Sequence, residues 1–280
     1  MRKAPFRCIM PQRIIIQVLM PQFWLRVALV LYGVGLLDAL IGLWGGRRLL
    51  AKVMIPAVGL GTVVHCVSLA EGAMLSETNP LSSLHQIESL FAFLLMAFFF
   101  FIYARYQTAS PGIAVFPLVF LLTFSSAFAG ISPQSPSTHV SPGWIYMHVG
   151  LVLLGYCALF FSFFASILYL IQERNLKARG TGGFWSGLPP LATIDEIGYR
   201  SLVVGFPFMT FGFLAGAFLG EVRYGAGYFR DPKILVSILM WVVYTVLLYT
   251  RWNVGWRGRR AAYLGAFAFL AAILAFAANT

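Results

Sequence analysis

Charge is what this sequence has least of. Only 10% of its 280 residues are Asp, Glu, Lys or Arg, with 9 acidic residues against 20 basic ones. Such a chain cannot cover itself with solvated side chains, which excludes an ordinary soluble domain. Cysteine is scarce too: Cys8, Cys66 and Cys157 stand far apart. Neither CxxC nor CxxCH occurs, which excludes a thiol-redox centre and covalent attachment of a haem to this chain. No phosphate-binding glycine loop, HExxH or GxSxG is found. Nucleotide hydrolysis, zincin chemistry and serine-nucleophile catalysis therefore have no sequence basis.

What fills the space is apolar: 60% of the residues are hydrophobic. Runs of about 18 or more such residues recur along the whole length, the mark of a polytopic membrane protein. In lipid every backbone polar group must be satisfied internally, so these runs are helices. The alternating segments of roughly ten residues that a membrane β-barrel needs are not seen. The expected fold is all-α, a bundle of about eight transmembrane helices with cores near 25–45, 53–75, 86–104, 113–131, 144–171, 199–220, 234–250 and 261–278. Breakers such as Asn79-Pro80, Ser110-Pro111-Gly112, Ser141-Pro142-Gly143 and Gly180-Thr181-Gly182-Gly183 separate them. Residues 25–280 read as one transmembrane domain, and residues 1–24 as a basic N-terminal extension.

The net charge of +11 does not point to nucleic acid, because the basic residues lie between apolar runs, as topology signals do. Twelve fall on one set of alternate loops: Arg47, Arg48, Lys52, Arg105, Arg174, Lys177, Arg179, Arg200, Arg251, Arg257, Arg259 and Arg260. The other side has Arg26, Arg223, Arg230 and Lys233, plus four in the extreme N-terminus. The positive-inside rule puts both termini and the 221–233 loop outside, in a bacterial cytoplasmic membrane. Arg2, Lys3, Arg7 and Arg13 run against this orientation. Two readings fit them: a weak signal segment, or a start set too early with Met20 as the effective beginning.

The richest stretch is 205–260. A glycine-bearing apolar helix leads into Glu221-Val222-Arg223-Tyr224-Gly225-Ala226-Gly227-Tyr228-Phe229-Arg230-Asp231-Pro232-Lys233, and a second apolar helix ends on Gly255-Trp256-Arg257-Gly258-Arg259-Arg260. The loop resembles the tryptophan-rich WWD segment of the cytochrome c assembly family, which includes CcsA, CcmC and HemX-like proteins. Asp231-Pro232-Lys233 keeps that pattern, whereas Tyr224, Tyr228 and Arg230 stand where the family has tryptophans. The resemblance continues through Asn79-Pro80-Leu81-Ser82-Ser83-Leu84, Trp144-Ile145-Tyr146-Met147-His148-Val149, Gln172-Glu173-Arg174, Leu188-Pro189-Pro190-Leu191 and Ile194-Asp195-Glu196-Ile197-Gly198-Tyr199-Arg200. It covers roughly residues 55–260.

The resemblance implies haem binding or presentation at the outer membrane face during c-type cytochrome biogenesis, with haem b as the group handled. It implies a CcsB-type membrane protein or an apocytochrome c as partner. The chain would be an accessory or one part of a cytochrome c synthase system rather than an enzyme by itself. His148 matches an external haem histidine of the family and His65 an intramembrane one. Tyr249 occupies the place of the second intramembrane histidine, and the chain reaches Thr280 without the second external one. The alternative is a HemX-like regulatory or assembly protein that keeps the fold without binding haem.

The residues support both readings on their own chemistry. His148 lies near the outer end of its span, where a neutral imidazole can ligate iron or simply hydrogen-bond at a helix end. Arg223, Arg230 and Lys233 suit haem propionates, while Tyr224, Tyr228 and Phe229 suit a porphyrin face. A membrane-interface belt collects the same residue types. His65 lies near mid-bilayer, where an ionisable side chain marks either a functional site or an interhelical hydrogen bond. His85 and His139 fall in outer loops and are further candidates for an axial position. Gly212, Gly216 and Gly220 line one helix face, for close helix packing or for approach of a flat ligand.

Overall fold

The computed structural model describes residues 12–43, 51–75, 83–129, 142–178, 188–225, 228 and 232–279. Eight helices follow in order: α1 Gln12–Leu43, α2 Ala51–Leu75, α3 Leu84–Tyr106, α4 Gly112–Phe128, α5 Pro142–Lys177, α6 Leu191–Tyr224, α7 Pro232–Trp252 and α8 Arg259–Asn279. Among the described residues, six helices are long and apolar enough to cross a membrane, and α4 is a shorter apolar helix of 17 residues. The all-α, multi-pass reading therefore stands. The first helix begins ahead of the expected core at residue 25 and carries Pro21 within it. Proline is tolerated in membrane helices because neighbouring groups re-satisfy the backbone. The Ser68 hydroxyl of α2 also donates to the Pro21 carbonyl at 2.7 Å, tying α2 to α1.

Local chemistry explains the boundaries. Ser83 caps α3: its hydroxyl accepts from the Gln86 amide, while the Gln86 side chain accepts from the Ser83 amide. Two otherwise orphaned donors are satisfied by one reciprocal exchange. The same helix stops at Gln107, whose left-handed φ of 51° turns the chain toward α4. At the far end of α6, Gly225 adopts φ 72° and its N–H returns to the Glu221 carbonyl, a conformation that a side chain would strain.

One core joins α1, α2, α3, α4 and one side of α5, with Tyr32, Phe99, Phe116 and Phe161 buried together. A second joins α5 through α8 around Leu159, Leu202, Tyr244 and Leu247. The 36-residue α5 is thus shared by both. Its tightest partner is the antiparallel α6. Glycines on both helices let the backbones meet, as small residues do where lipid supplies no hydrophobic drive. A Cβ at Gly198 would lie 3.2 Å from that of Ala165, and one at Gly205 2.8 Å from that of Ala158. A Cβ at Gly212 would lie 3.0 Å from the Val152 backbone nitrogen, and one at Gly155 3.0 Å from that of Met209. Gly198, Gly205 and Gly212 recur every seven residues, the period that keeps one helix face on a supercoiled partner.

At the end of the bundle read as cytoplasmic, Arg251 and Asp195 pair at 3.0 Å, and the Arg251 side chain is only 8% exposed. Its guanidinium sits 5.6 Å from the Tyr199 ring centroid, and the Trp252 indole donates to the Tyr199 hydroxyl at 2.6 Å. These contacts fasten the start of α6 to the end of α7. Removing one partner strands the other charge. Asp195→Ala is therefore expected to cost on the order of 3 kcal/mol, read as a loss of thermal stability in detergent that Asp195→Glu largely avoids.

Candidate functional site

The α5–α6 seam changes character toward the end where α6 leads into α7. Below Gly212 the glycines meet backbone and small side chains; above it they meet rings. A Cβ at Gly216 would lie 2.5 Å from Cε1 of His148, so the imidazole rests directly on the bare helix face. One turn further, the ring of Tyr228 covers Gly220 so closely that no side chain fits there. At Gly212 the stripe packs against α5 itself, and at Gly216 and Gly220 against the side chains of His148 and Tyr228.

His148 is positioned by α5 but fixed by α6. Its Nδ1 lies 2.8 Å from the Gly212 carbonyl oxygen. A carbonyl can only accept, so Nδ1 carries the hydrogen and Nε2 keeps its lone pair. That bond selects the tautomer and orients the ring, the role a backbone carbonyl plays behind a metal-bound histidine. The carbonyl reaches the imidazole because Gly212 and Gly216 bring α6 up against α5. The side chain is half-buried.

Tyr228 arrives from the connection between α6 and α7. Its hydroxyl donates to the Gly216 carbonyl at 3.4 Å. His148 and Tyr228 thus use carbonyls of Gly212 and Gly216, one turn apart on α6. Trp144 closes the same end, its ring centroid 5.3 Å from that of Phe218. Sequence reading foresaw a shared neighbourhood for His148 and the 221–233 loop but not these contacts, since no pattern marks which helix carbonyl will accept a second bond. Phe229, Arg230 and Asp231 lie outside the described residues, as do the side chains of Arg223, Tyr224 and Lys233.

His65 stands elsewhere, among α1, α2 and α3. It is 0% exposed. Nδ1 lies 3.2 Å from the Tyr32 hydroxyl and Nε2 2.9 Å from Ser89 Oγ, so both ring nitrogens are engaged. The Tyr32 and Phe93 rings meet it edge-on. Tyr249, in the place of the second intramembrane histidine, is 59% exposed on the outside of α7. His85, expected in a loop, lies in the first turn of α3, which its Ser83 cap starts just before it; it pairs with Glu88 at 3.2 Å, and the Ser125 hydroxyl donates to the same carboxylate at 2.9 Å. His139 lies outside the described residues.

At this end of the seam, then, are a tautomer-fixed imidazole seated on Gly216 and a tyrosine from the α6–α7 connection seated on Gly220. The pattern can be compared with known proteins. The family model described as Cytochrome C assembly protein matches residues 60–279, well over half of the chain. A protein named "Cytochrome c biogenesis protein CcsA" from Guillardia theta is 29% identical over 261 residues, covering 84% of this chain and 86% of that one. Its namesake from Pyropia yezoensis is 25% identical over 285 residues, covering 88% of each. That from Heterosigma akashiwo (strain NIES-293 / 8280G21-1) is 27% identical over 227 residues, covering 68% and 70%. The match spans α3 through α8 and most of α2, including His65, His148 and the whole α6–α7 connection, and this chain belongs to the cytochrome c assembly protein family.

Proposed function

We propose that this protein binds haem at the outer face of the membrane during c-type cytochrome biogenesis, with His148 as the iron ligand. The observation that carries this reading is the 2.8 Å contact from His148 Nδ1 to the Gly212 carbonyl. It leaves Nε2 as the basic nitrogen, and the side chain is already oriented before any ligand arrives. Haem would supply a planar macrocycle, an iron that accepts axial ligands, and two propionates. Gly216 and Gly220 seat the His148 and Tyr228 rings, against which haem would lie. Tyr224, Tyr228 and Phe229 are the residues proposed for its face, and Arg223, Arg230 and Lys233 for the propionates. Asp231 belongs to the same loop. His65, with both nitrogens engaged, takes no part in this reading as a ligand.

Haem is cargo in this scheme. An apocytochrome c is the proposed acceptor, and a CcsB-type membrane protein the proposed partner. Purified full-length protein from haem-replete cells is expected to carry haem at sub-stoichiometric occupancy and to take up added haemin. No Soret absorbance and no uptake would sink the haem reading and favour the haem-free regulatory or assembly role.

The orientation rests on the twelve basic residues of the inner loops. A phosphatase reporter fused after Thr280 is expected to be active, as only an external fusion is, whereas one inserted within Gly180 to Gly183 is expected to be silent. The reverse pair of signals would put the His148 end in the cytoplasm.

A further inference from the structure

We infer that the α7–α8 connection binds the phosphate of an anionic phospholipid headgroup through Arg257, Arg259 and Arg260. The inference is independent of the haem reading and concerns the opposite end of the bundle. Three acidic residues stand at this end of α5 and α6, and each is already paired. Glu173 holds Lys177 at 2.6 Å, Glu196 holds Arg200 at 2.7 Å, and Asp195 holds Arg251 at 3.0 Å. Arg257, Arg259 and Arg260 are exposed, and none joins an ion pair among the described residues. Glu173 acts on Arg259 only from a distance. Three arginines within four residues thus keep their charge uncompensated.

These arginines are held in a defined turn. Gly255 and Gly258 adopt φ 68° and 67°. The Trp256 N–H donates to the Thr250 carbonyl at 3.1 Å, folding the connection back on the end of α7. Gly258 lies against α5, where a Cβ would be 2.7 Å from the Tyr169 hydroxyl. Arg259 and Arg260 then open α8, in a first turn without an acidic residue. The helix dipole disfavours cations at that position, so the placement is unfavourable until an anion joins it. Arg251 is a second and separate sign of a missing acceptor. Its side chain is 8% exposed, it borders a crevice together with Ala262 of α8, and its Nε is buried without a partner.

The surroundings point to lipid rather than to a soluble anion. Trp252 is 60% exposed and Tyr263 54%, aromatic side chains of the kind that sit at headgroup depth. They flank the arginines, one in the last turn of α7 and the other in the second turn of α8. Arg259 donates to the Tyr263 hydroxyl at 3.2 Å, with its guanidinium carbon 5.5 Å from the ring centroid. Guanidinium forks match phosphate oxygens two at a time, and basic sites at the ends of membrane helices take anionic headgroups.

The test is a lipid titration of delipidated full-length protein in neutral detergent, read by native mass spectrometry and thermal unfolding. Phosphatidylglycerol is expected to bind at least about tenfold more tightly than phosphatidylcholine and to raise the unfolding temperature. The triple change Arg257→Gln, Arg259→Gln and Arg260→Gln is expected to erase that preference. Lys52→Gln, Arg105→Gln and Arg174→Gln together remove the same charge from exposed positions on other helices and are expected to keep it. The pair Arg257→Gln and Arg260→Gln leaves the Arg259–Tyr263 bond in place and carries the same expectation should the triple variant fail to fold. Equal loss in the control variant would overturn the inference, because the effect would then belong to the charge of the whole end. So would a wild type without preference, or inorganic phosphate that reproduces the stabilisation without lipid.

Discussion

His148→Ala is expected to abolish the Soret band of the purified protein while leaving the helical bundle intact. The side chain is half-buried at one end of the α5–α6 seam, and the cores around α5 do not include it. Its loss removes one hydrogen bond to a carbonyl that already serves its own helix, a cost of about 1 kcal/mol. The ligand, by contrast, has no substitute on α5. A companion change separates chemistry from shape. Gly216→Ala leaves every ligating atom in place but puts a Cβ 2.5 Å from Cε1 of His148, which the ring cannot tolerate unmoved. Haem occupancy is expected to fall with circular dichroism and thermal stability close to wild type. If both variants keep a wild-type Soret band, His148 is not the ligand.

The second large effect concerns stability. Gly205→Leu is expected to force α5 and α6 apart, because a Cβ there meets the Ala158 Cβ at 2.8 Å and backbone atoms of Gly155 and Leu159 at 3.3 Å. Backbone cannot rotate away as a side-chain end can. Overpacking of this kind costs about 1–3 kcal/mol or more, and the Gly212 carbonyl would move with the helix, so the orientation of His148 should suffer as well. Gly150, on the same α5, is the control. Nothing lies within 4 Å of its Cβ position, and Gly150→Ala gains helix propensity of up to about 1 kcal/mol. Thermal unfolding in detergent should therefore show a drop for Gly205→Leu and no loss for Gly150→Ala. Equal behaviour would mean that the seam is not the tight contact described here.

Much of this was legible before any coordinates. Eight apolar runs announced eight helices, because unsatisfied backbone is intolerable in lipid. The loop charges set an expected orientation, which the reporter fusions test. The seam's seven-residue glycine period at 198, 205 and 212 stood out only once α5 was seen against it. The site was only half legible. His148 and Tyr228 were candidates by residue type, and the stripe from Gly212 to Gly220 by its spacing.

What only the tertiary structure decided is who meets whom. Hydropathy cannot choose among helix neighbours, since lipid tails are as apolar as leucine and many arrangements bury the same surface. The choice falls to shape and to a few polar contacts between residues distant in sequence. His65 finds Tyr32 and Ser89, 33 and 24 positions away, and is locked by both nitrogens. His148 finds the Gly212 carbonyl, 64 positions away, and keeps one nitrogen. The two histidines look alike in sequence, each set in an apolar helix. They differ because one faces polar side chains from two helices at mid-bundle, while the other faces bare backbone where glycines have let a helix come close.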